Sequence, residues 1–116
     1  MAANGELLAH AYYTAMSKKN ISELEEYLHS DVQMISPFVK IAGKEAVLGA
    51  IKKFTSYFET LTIRAHFGSD NQAVVIYDVA IAAPIGNVNS VAYMNFKDNR
   101  IFKIELFFDA RPFDKK

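Results

Sequence analysis

Cysteine is absent from the 116 residues of the chain. Disulfide bonds and thiolate metal sites are therefore excluded, and a reducing compartment is compatible with the sequence. Glycine-rich loops that could hold a nucleotide phosphate are also absent. The 3 histidines are scattered and lack the spacing to carboxylates that a metal site requires. We therefore expect neither a metal nor a cofactor.

An excess of charge of one sign is lacking as well. Thirteen basic residues balance thirteen acidic ones, and no run of Lys or Arg occurs. Because a nucleic-acid-binding surface needs a basic patch, nucleic acid is not an expected partner. No apolar stretch is long enough to span a bilayer, and no signal peptide is visible at the N-terminus. We expect a soluble cytoplasmic protein without a membrane partner.

Apolar residues, in contrast, are plentiful and make up 51% of the chain. A chain of this length corresponds to one domain, residues 1–116, and this apolar fraction is enough to fill its core. The clearest pattern is in residues 90–109, where two alternating apolar runs flank the polar turn Lys97-Asp98-Asn99-Arg100. This arrangement predicts a β-hairpin.

The alternation divides the predicted hairpin into two faces, because successive strand side chains point to opposite sides. One face is apolar and contains Ala92, Met94, Phe96, Phe102, Ile104, Leu106 and Phe108. The other face mixes Lys103 and Glu105 with the apolar side chains Val91, Tyr93, Ile101 and Phe107. An exposed apolar patch usually marks an interface, and two-fold assembly is the commonest outcome. We therefore expect a homodimer that forms through the outer face of the sheet.

The rest of the chain supplies helices first and strands second. Three apolar stripes at helical spacing predict helices; they include Leu8, Tyr12 and Met16, then Ile21, Leu24 and Leu28, then Val47, Ala50, Ile51, Phe54 and Phe58. A short strand around Met34 separates the second and third helices and stops at Ser36-Pro37. Residues 60–67 and 73–83 have strand patterns and precede the hairpin. The order predicts an α+β fold with helices on one face of a mostly antiparallel sheet.

This order of elements, the segment DVQMISPFVKIAG at residues 31–43 and the closing IELFFD at 104–109 resemble the SnoaL-like branch of the nuclear-transport-factor-2-like superfamily. The resemblance covers nearly the whole chain. It implies a cone in which a curved, mostly antiparallel sheet wraps around helices and encloses a small-molecule pocket. Members of this superfamily include steroid isomerases, polyketide cyclases, dehydratases, epoxide hydrolases and binding modules without catalysis, so the fold alone does not determine the chemistry.

The ketosteroid isomerases of this superfamily use an Asp base with an oxyanion hole of Tyr and protonated Asp. By resemblance, the tyrosine position falls on Tyr12, the base position on Ser36 and the second acid on Ala92. Polyketide cyclases place His and Asp near Ala92 and Leu106. A neutral hydroxyl at Ser36 cannot accept a proton near neutral pH without an activating partner.

Four polar residues have both a functional and a structural interpretation. Tyr12 is either a donor to a ligand oxygen or a core residue with a solvated hydroxyl, and Ser36 either orients a ligand or makes a turn before Pro37. Asp78 interrupts an apolar strand, so it is either a buried acid or base with a raised pKa or an ion-pair partner of Arg64 at the surface. His66 shares the predicted Arg64 face, opposite Leu61, Ile63, Ala65 and Phe67, and is otherwise a surface histidine.

Two functions remain open on these observations. The first is a binding module for a small hydrophobic or aromatic ligand, in a pocket formed by Tyr12, Met34, Ser36, Phe54, Met94, Phe96, Leu106 and Phe108. The second is an isomerase, lyase or hydrolase in which Asp78 acts with Tyr12 or His66. The direction in which the Asp78 side chain points distinguishes the two.

Overall fold

The computed structural model describes residues 4–114, and over this range the chain forms three α-helices, six β-strands and a short 3-10 helix. The helices are α1 (Asn4–Ser17), α2 (Ile21–Tyr27) and α3 (Lys44–Thr55). The strands are β1 (Leu28–Ile35), β2 (Lys40–Ala42), β3 (Phe58–Gly68), β4 (Gln72–Ile81), β5 (Gly86–Lys97) and β6 (Arg100–Phe108). The 3-10 helix at Arg111–Asp114 follows the last strand.

All six strands belong to one curved sheet with the order β2-β1-β6-β5-β4-β3. Neighbouring strands are antiparallel except for β1 and β6, which are parallel. Helix α1 packs on β3 and β4, and α3 packs on β1 and β2. The predicted α+β architecture is therefore confirmed. No helix within residues 4–114 is long and apolar enough to cross a membrane.

The predicted hairpin is formed by β5 and β6, which pair from Ser90↔Phe108 to Lys97↔Arg100. Its two turn residues, Asp98 and Asn99, have φ angles of 55° and 60°. Positive φ at both central positions is the geometry that two-residue hairpin turns favour, and Asp and Asn tolerate it better than most residues. The polar turn therefore sets how β5 and β6 begin to pair.

Two boundaries and one strand differ from the prediction. Leu28 begins β1 instead of ending α2, and Phe58 begins β3 instead of ending α3. Strand β2 was not predicted; its three residues pair with β1 from Gln33↔Ala42 to Ile35↔Lys40. A three-residue edge strand is too short to show a period, so only its pairing identifies it.

A β-bulge in β3 changes which residues face the helices. Ile63 pairs with Tyr77 whereas Ala65 pairs with Ile76, so Arg64 is the extra residue of the bulge. The side chains after it are turned over, because strand side chains alternate with a strict period of two. His66 consequently faces α1, and Phe67 is 60% exposed. Ala65, which pairs with Ile76, is turned to the outer face by the same bulge, so the predicted faces of Ala65, His66 and Phe67 are wrong.

A second β-bulge lies in β6, where two residues lie opposite one residue of β5. Asn95 pairs with Lys103 and Phe96 pairs with Ile101, which leaves Phe102 as the additional residue. Ile101 is completely buried as a result, so its predicted place on the outer face is wrong. Phe102 is displaced from the core face and is half-buried, with its ring centroid 5.3 Å from that of His29.

Candidate functional site

A cavity of about 480 Å³ lies between the helices and the sheet. Its walls come from α1, α3, four of the strands and the 3-10 helix, and they are mostly apolar. The volume is within the range of small-molecule pockets, and an apolar wall with few polar groups is their usual chemistry. This cavity is the candidate functional site.

Six of the eight predicted pocket residues line the cavity: Tyr12, Met34, Ser36, Phe54, Leu106 and Phe108. Met94 and Phe96 do not. On β5 the cavity is lined by Val88 and Ser90, whereas Met94 lies further toward the hairpin turn, opposite Ile104, and is completely buried. Alternation correctly predicts that Met94 points inward. It does not show that the cavity ends before Met94, because that end is decided by the close packing of the fold there.

Three buried tyrosines line the cavity. Tyr12 and Tyr13 come from α1, with ring centroids 5.0 Å apart, and the Tyr77 ring of β4 lies 4.6 Å from that of Tyr13. Burial raises the pKa of Tyr12 and Tyr13, and the nearby Tyr77 phenol adds to both increases. Burial also raises the pKa of Tyr77 to about 12, although hydrogen bonds with Tyr13 and Ser90 oppose that increase. All three phenols are therefore uncharged at neutral pH.

Tyr13, Tyr77 and Ser90 were not among the predicted site residues. Tyr77 lies on a strand of almost uniform hydrophobicity, so the sequence did not show which face its side chain takes, and nothing in the pattern singled out its hydroxyl. Tyr13 adjoins Tyr12 on a helix, and adjacent helical residues do not point the same way. Both tyrosines nevertheless border the cavity, because it extends across both α1 and β4.

The mouth of the cavity is aromatic. The ring centroid of Phe38 lies 5.5 Å from that of Phe108 and 5.3 Å from that of Phe113, and the Phe108 and Phe113 centroids are 5.6 Å apart. Phe38, Val39 and Tyr57 also line the cavity, although all three are about half exposed. The apolar lining therefore continues outward to a rim that solvent reaches.

Polar contacts hold two segments of this rim. The Ser36 hydroxyl oxygen accepts hydrogen bonds from the N–H groups of Phe38 and Val39 at 3.2 and 3.3 Å, so Ser36 makes the turn that was one of its two interpretations. After β6, Arg111 donates from Nη2 to Asp109 Oδ2 at 2.6 Å and from its backbone N–H to Oδ1. The side-chain hydrogen bond from Arg111 lowers the pKa of Asp109 to about 2, so this contact persists over a wide pH range.

Asp78 lies on the outer face of the sheet and is not part of the cavity. It is paired with Thr62 and Asn89, and its Oδ1 accepts a hydrogen bond of 3.1 Å from the Asn89 side chain. The guanidinium of Arg64 lies 3.6 Å from the same oxygen. The surface ion pair is thus the interpretation that the structure supports, since Tyr77 and Val79 point inward and Asp78 alternates with them.

His66 is also separate from the cavity. Its Nδ1 lies 2.9 Å from Glu6 Oε2, and its ring centroid is 4.6 Å from that of His10. The structure therefore does not bring Asp78, His66 and Tyr12 together. No Asp, Glu or His lines the cavity within the described part of the chain, where Lys53 is the one charged residue of the lining. Residues 4–114 also contain no group of three or more potential metal ligands.

Comparison with known proteins identifies the family of this chain. The family model described as the SnoaL-like domain matches residues 9–104. The chain belongs to the SnoaL-like domain family. This match includes α2, β1, β2, α3, β3, β4, β5 and most of α1, and it ends within β6. No curated protein is similar enough in sequence to count as a match.

Solved structures share the fold of this SnoaL-like domain at low sequence identity. A protein from Kribbella flavida has a TM-score of 0.90 and 21% identity, covering 98% of this chain and 92% of its own. An NTF2-like protein of unknown function from Cytophaga hutchinsonii has a TM-score of 0.84 and 16% identity, covering 99% and 97%. A steroid delta-isomerase from Pseudomonas aeruginosa has a TM-score of 0.78 and 18% identity, covering 94% and 82%. At these identities the likeness establishes the fold alone.

Proposed function

We propose that this SnoaL-like domain binds a small hydrophobic or aromatic molecule that carries an oxygen atom. The observation that carries the proposal is the composition of the cavity wall. Apolar side chains and uncharged hydroxyl groups line it together with one cation, Lys53, but no carboxylate or imidazole does so within residues 4–114. Apolar walls favour a hydrophobic ligand, and a few hydroxyl donors orient it.

Tyr12 and Ser36 are the groups proposed to contact the ligand oxygen. The Tyr12 phenol keeps its proton, because burial raises its pKa, and it can therefore donate. The Ser36 oxygen already accepts from two backbone N–H groups, but its own proton stays free to be donated to a ligand. Met34 adds a flexible wall that can adapt to ligand shape.

The isomerase-type alternative has less support. Abstraction of a proton from a ligand requires a base within hydrogen-bonding reach of it. Asp78 and His66 are the carboxylate and imidazole considered for that role, and both contact other residues outside the cavity. The positions that correspond by resemblance to the second acid, Ala92 and Leu106, carry apolar side chains. Binding without proton transfer is therefore the function that we propose.

A panel of phenols and small ketones tests this function by calorimetry, with turnover of the same compounds assayed in parallel. Tyr12→Phe should weaken binding several-fold, since one hydrogen bond contributes about 0.5–1.5 kcal/mol. Tyr93→Phe is the matched control, because its hydroxyl donates to Gln72 Oε1 at 2.8 Å outside the cavity. Failure of the whole panel to bind would contradict the proposal. Turnover that disappears in Asp78→Asn would favour the enzyme instead.

We also propose that the domain forms a homodimer through the outer face of its sheet. Ala65, Ile76, Val91 and Phe107 are cross-strand partners, so they form one apolar row across β3, β4, β5 and β6. The ion pairs Arg64–Asp78 and Lys103–Glu105 lie on either side of this row. An apolar row with a charged border is typical of a protein–protein interface.

A further inference from the structure

The rim of the cavity has an uneven distribution of charge. Lys53, in the last turn of α3, is the one charged residue that lines the cavity within residues 4–114. The other exposed lining residues are Phe38, Val39 and Tyr57, whose side chains are apolar or aromatic. A single cation therefore stands beside an apolar opening.

The Lys53 ammonium group is not used to stabilise the end of α3. The Ser56 hydroxyl donates to the Lys53 carbonyl at 2.7 Å, and the Thr55 hydroxyl donates to the Lys52 carbonyl at 2.9 Å. The Ser56 N–H also donates to the Lys52 carbonyl, at 3.2 Å. These contacts satisfy carbonyl groups that a lysine side chain could otherwise cap.

Several other lysines have partners that Lys53 lacks. Lys19 Nζ donates to the Phe58 carbonyl at 2.6 Å, Lys103 lies 3.4 Å from Glu105, and Lys97 lies 5.3 Å from the centroid of the Phe102 ring. Over the described range, no carboxylate lies within ion-pair distance of Lys53. Its charge is thus available to a molecule that enters the cavity.

We infer that the ligand of this site is a hydrophobic monocarboxylate, whose apolar body fills the cavity and whose carboxylate meets Lys53 at the rim. The inference rests on the proposed binding function and adds the chemical class of the ligand. The carboxylate stays at the rim, because burying a charge among apolar groups is costly. At a protein surface the effective dielectric constant is below that of bulk water, so the two charges attract each other more strongly than they would in water.

The orientation follows from the buried part of the cavity wall. Tyr12, Tyr13 and Tyr77 are completely or almost completely buried there, and their phenols are uncharged. They offer hydrogen bonds to a neutral oxygen but no counter-charge to a carboxylate. The long, flexible Lys53 side chain supplies the counter-charge at the open end, where solvent still reaches both groups.

The experiment compares naphthylacetate with its primary amide, naphthylacetamide, which has a similar shape and no charge. Calorimetry is carried out on the whole chain and on Lys53→Met, Lys53→Arg and Lys52→Met. Lys52→Met is the matched control, because Lys52 is the exposed neighbour in the same helical turn and does not line the cavity. Thermal unfolding of each variant verifies that it is folded.

The acid should bind about two- to five-fold more tightly than the amide, and added salt should reduce this preference. Lys53→Met should abolish the preference, whereas Lys53→Arg and Lys52→Met should retain it. Equal binding of acid and amide would overturn the inference. It would also be overturned if Lys53→Met and Lys52→Met reduced the preference for the acid equally. If neutral phenols bind while both naphthyl compounds fail, the ligand class is wrong but the binding function stands. If no compound binds, both are wrong.

Discussion

His66 Nδ1 lies 2.9 Å from Oε2 of Glu6, and this contact joins the C-terminal part of β3 to the first turn of α1. It exists because the bulge at Arg64 turns His66 toward the helix. The two side chains are only 34% and 21% exposed, so the contact is partly protected from solvent. A histidine that was a candidate for catalysis thus fixes the helix that carries Tyr12 and Tyr13.

Removal of this contact should lower the free energy of unfolding slightly. We expect Glu6→Gln to cost about 0.5–1 kcal/mol in urea denaturation, the usual size for a pair of this exposure. Glu45→Gln is the control, because Glu45 is also an acid in a first helical turn but has no ion pair within the described residues. Equal losses in the two variants would mean that the helix dipole, and not His66, explains the effect.

The buried tyrosines predict a loss of stability at alkaline pH. Burial raises the pKa of Tyr77 from 10.0 to about 12, so above pH 10 the unfolded chain binds fewer protons than the folded one. The contribution of Tyr77 is therefore complete below pH 10 and is lost as the pH rises toward 12, up to about 3 kcal/mol. Urea denaturation between pH 8 and about 11 measures the first part of this decrease in the free energy of unfolding.

Tyr77→Phe should reduce this alkaline decline, and Tyr93→Phe, which removes a hydroxyl from the outer face, should leave it in place. The raised pKa values of Tyr12 and Tyr13 have the same sign, so part of the decline should persist in Tyr77→Phe. A free energy of unfolding that stays constant from pH 9 to about 11 in the unmodified chain would contradict the prediction.

Two inward-facing methionines should respond differently to truncation. Met94 is completely buried outside the cavity, so Met94→Ala should cost about 2–5 kcal/mol of stability and change ligand binding little. Met34 already borders open space, so Met34→Ala should cost less stability and change ligand affinity more. Urea denaturation and calorimetry of the two variants measure both quantities. The reverse order would place the binding site at the hairpin end.

The proposed dimer can be tested with two phenylalanines that are each 54% exposed, Phe107 and Phe38. Phe107 belongs to the apolar row of the outer face, whereas Phe38 belongs to the rim of the cavity. We expect Phe107→Asp to weaken the dimer by about 2 kcal/mol or more, and Phe38→Asp to leave the mass unchanged. Light scattering over a range of concentrations measures the mass. A monomer at high micromolar concentration in the unmodified chain would exclude the dimer.

Local patterns in the sequence determined the type and order of most elements. Helical spacing, strand alternation and the Lys97-Asp98-Asn99-Arg100 turn depend on residues that are close in the chain, and they predicted three helices and the hairpin. The resemblance to the SnoaL-like family was carried by the same order of elements, and the family match confirms it. Six cavity residues followed from this resemblance together with the strand and helix patterns, because these state which side chains face the space between the sheet and the helices.

The tertiary structure decided what depends on pairing between distant residues. A bulge adds one residue to a strand opposite its partner and reverses the side chains on one side of it relative to those on the other, so His66 and Ile101 could be placed only once β3 and β6 were paired. The ion pair of Asp78 and the shared position of Tyr13 and Tyr77 likewise join separate elements. The extent of the cavity is the space that all these elements leave unfilled, and no local pattern contains that information.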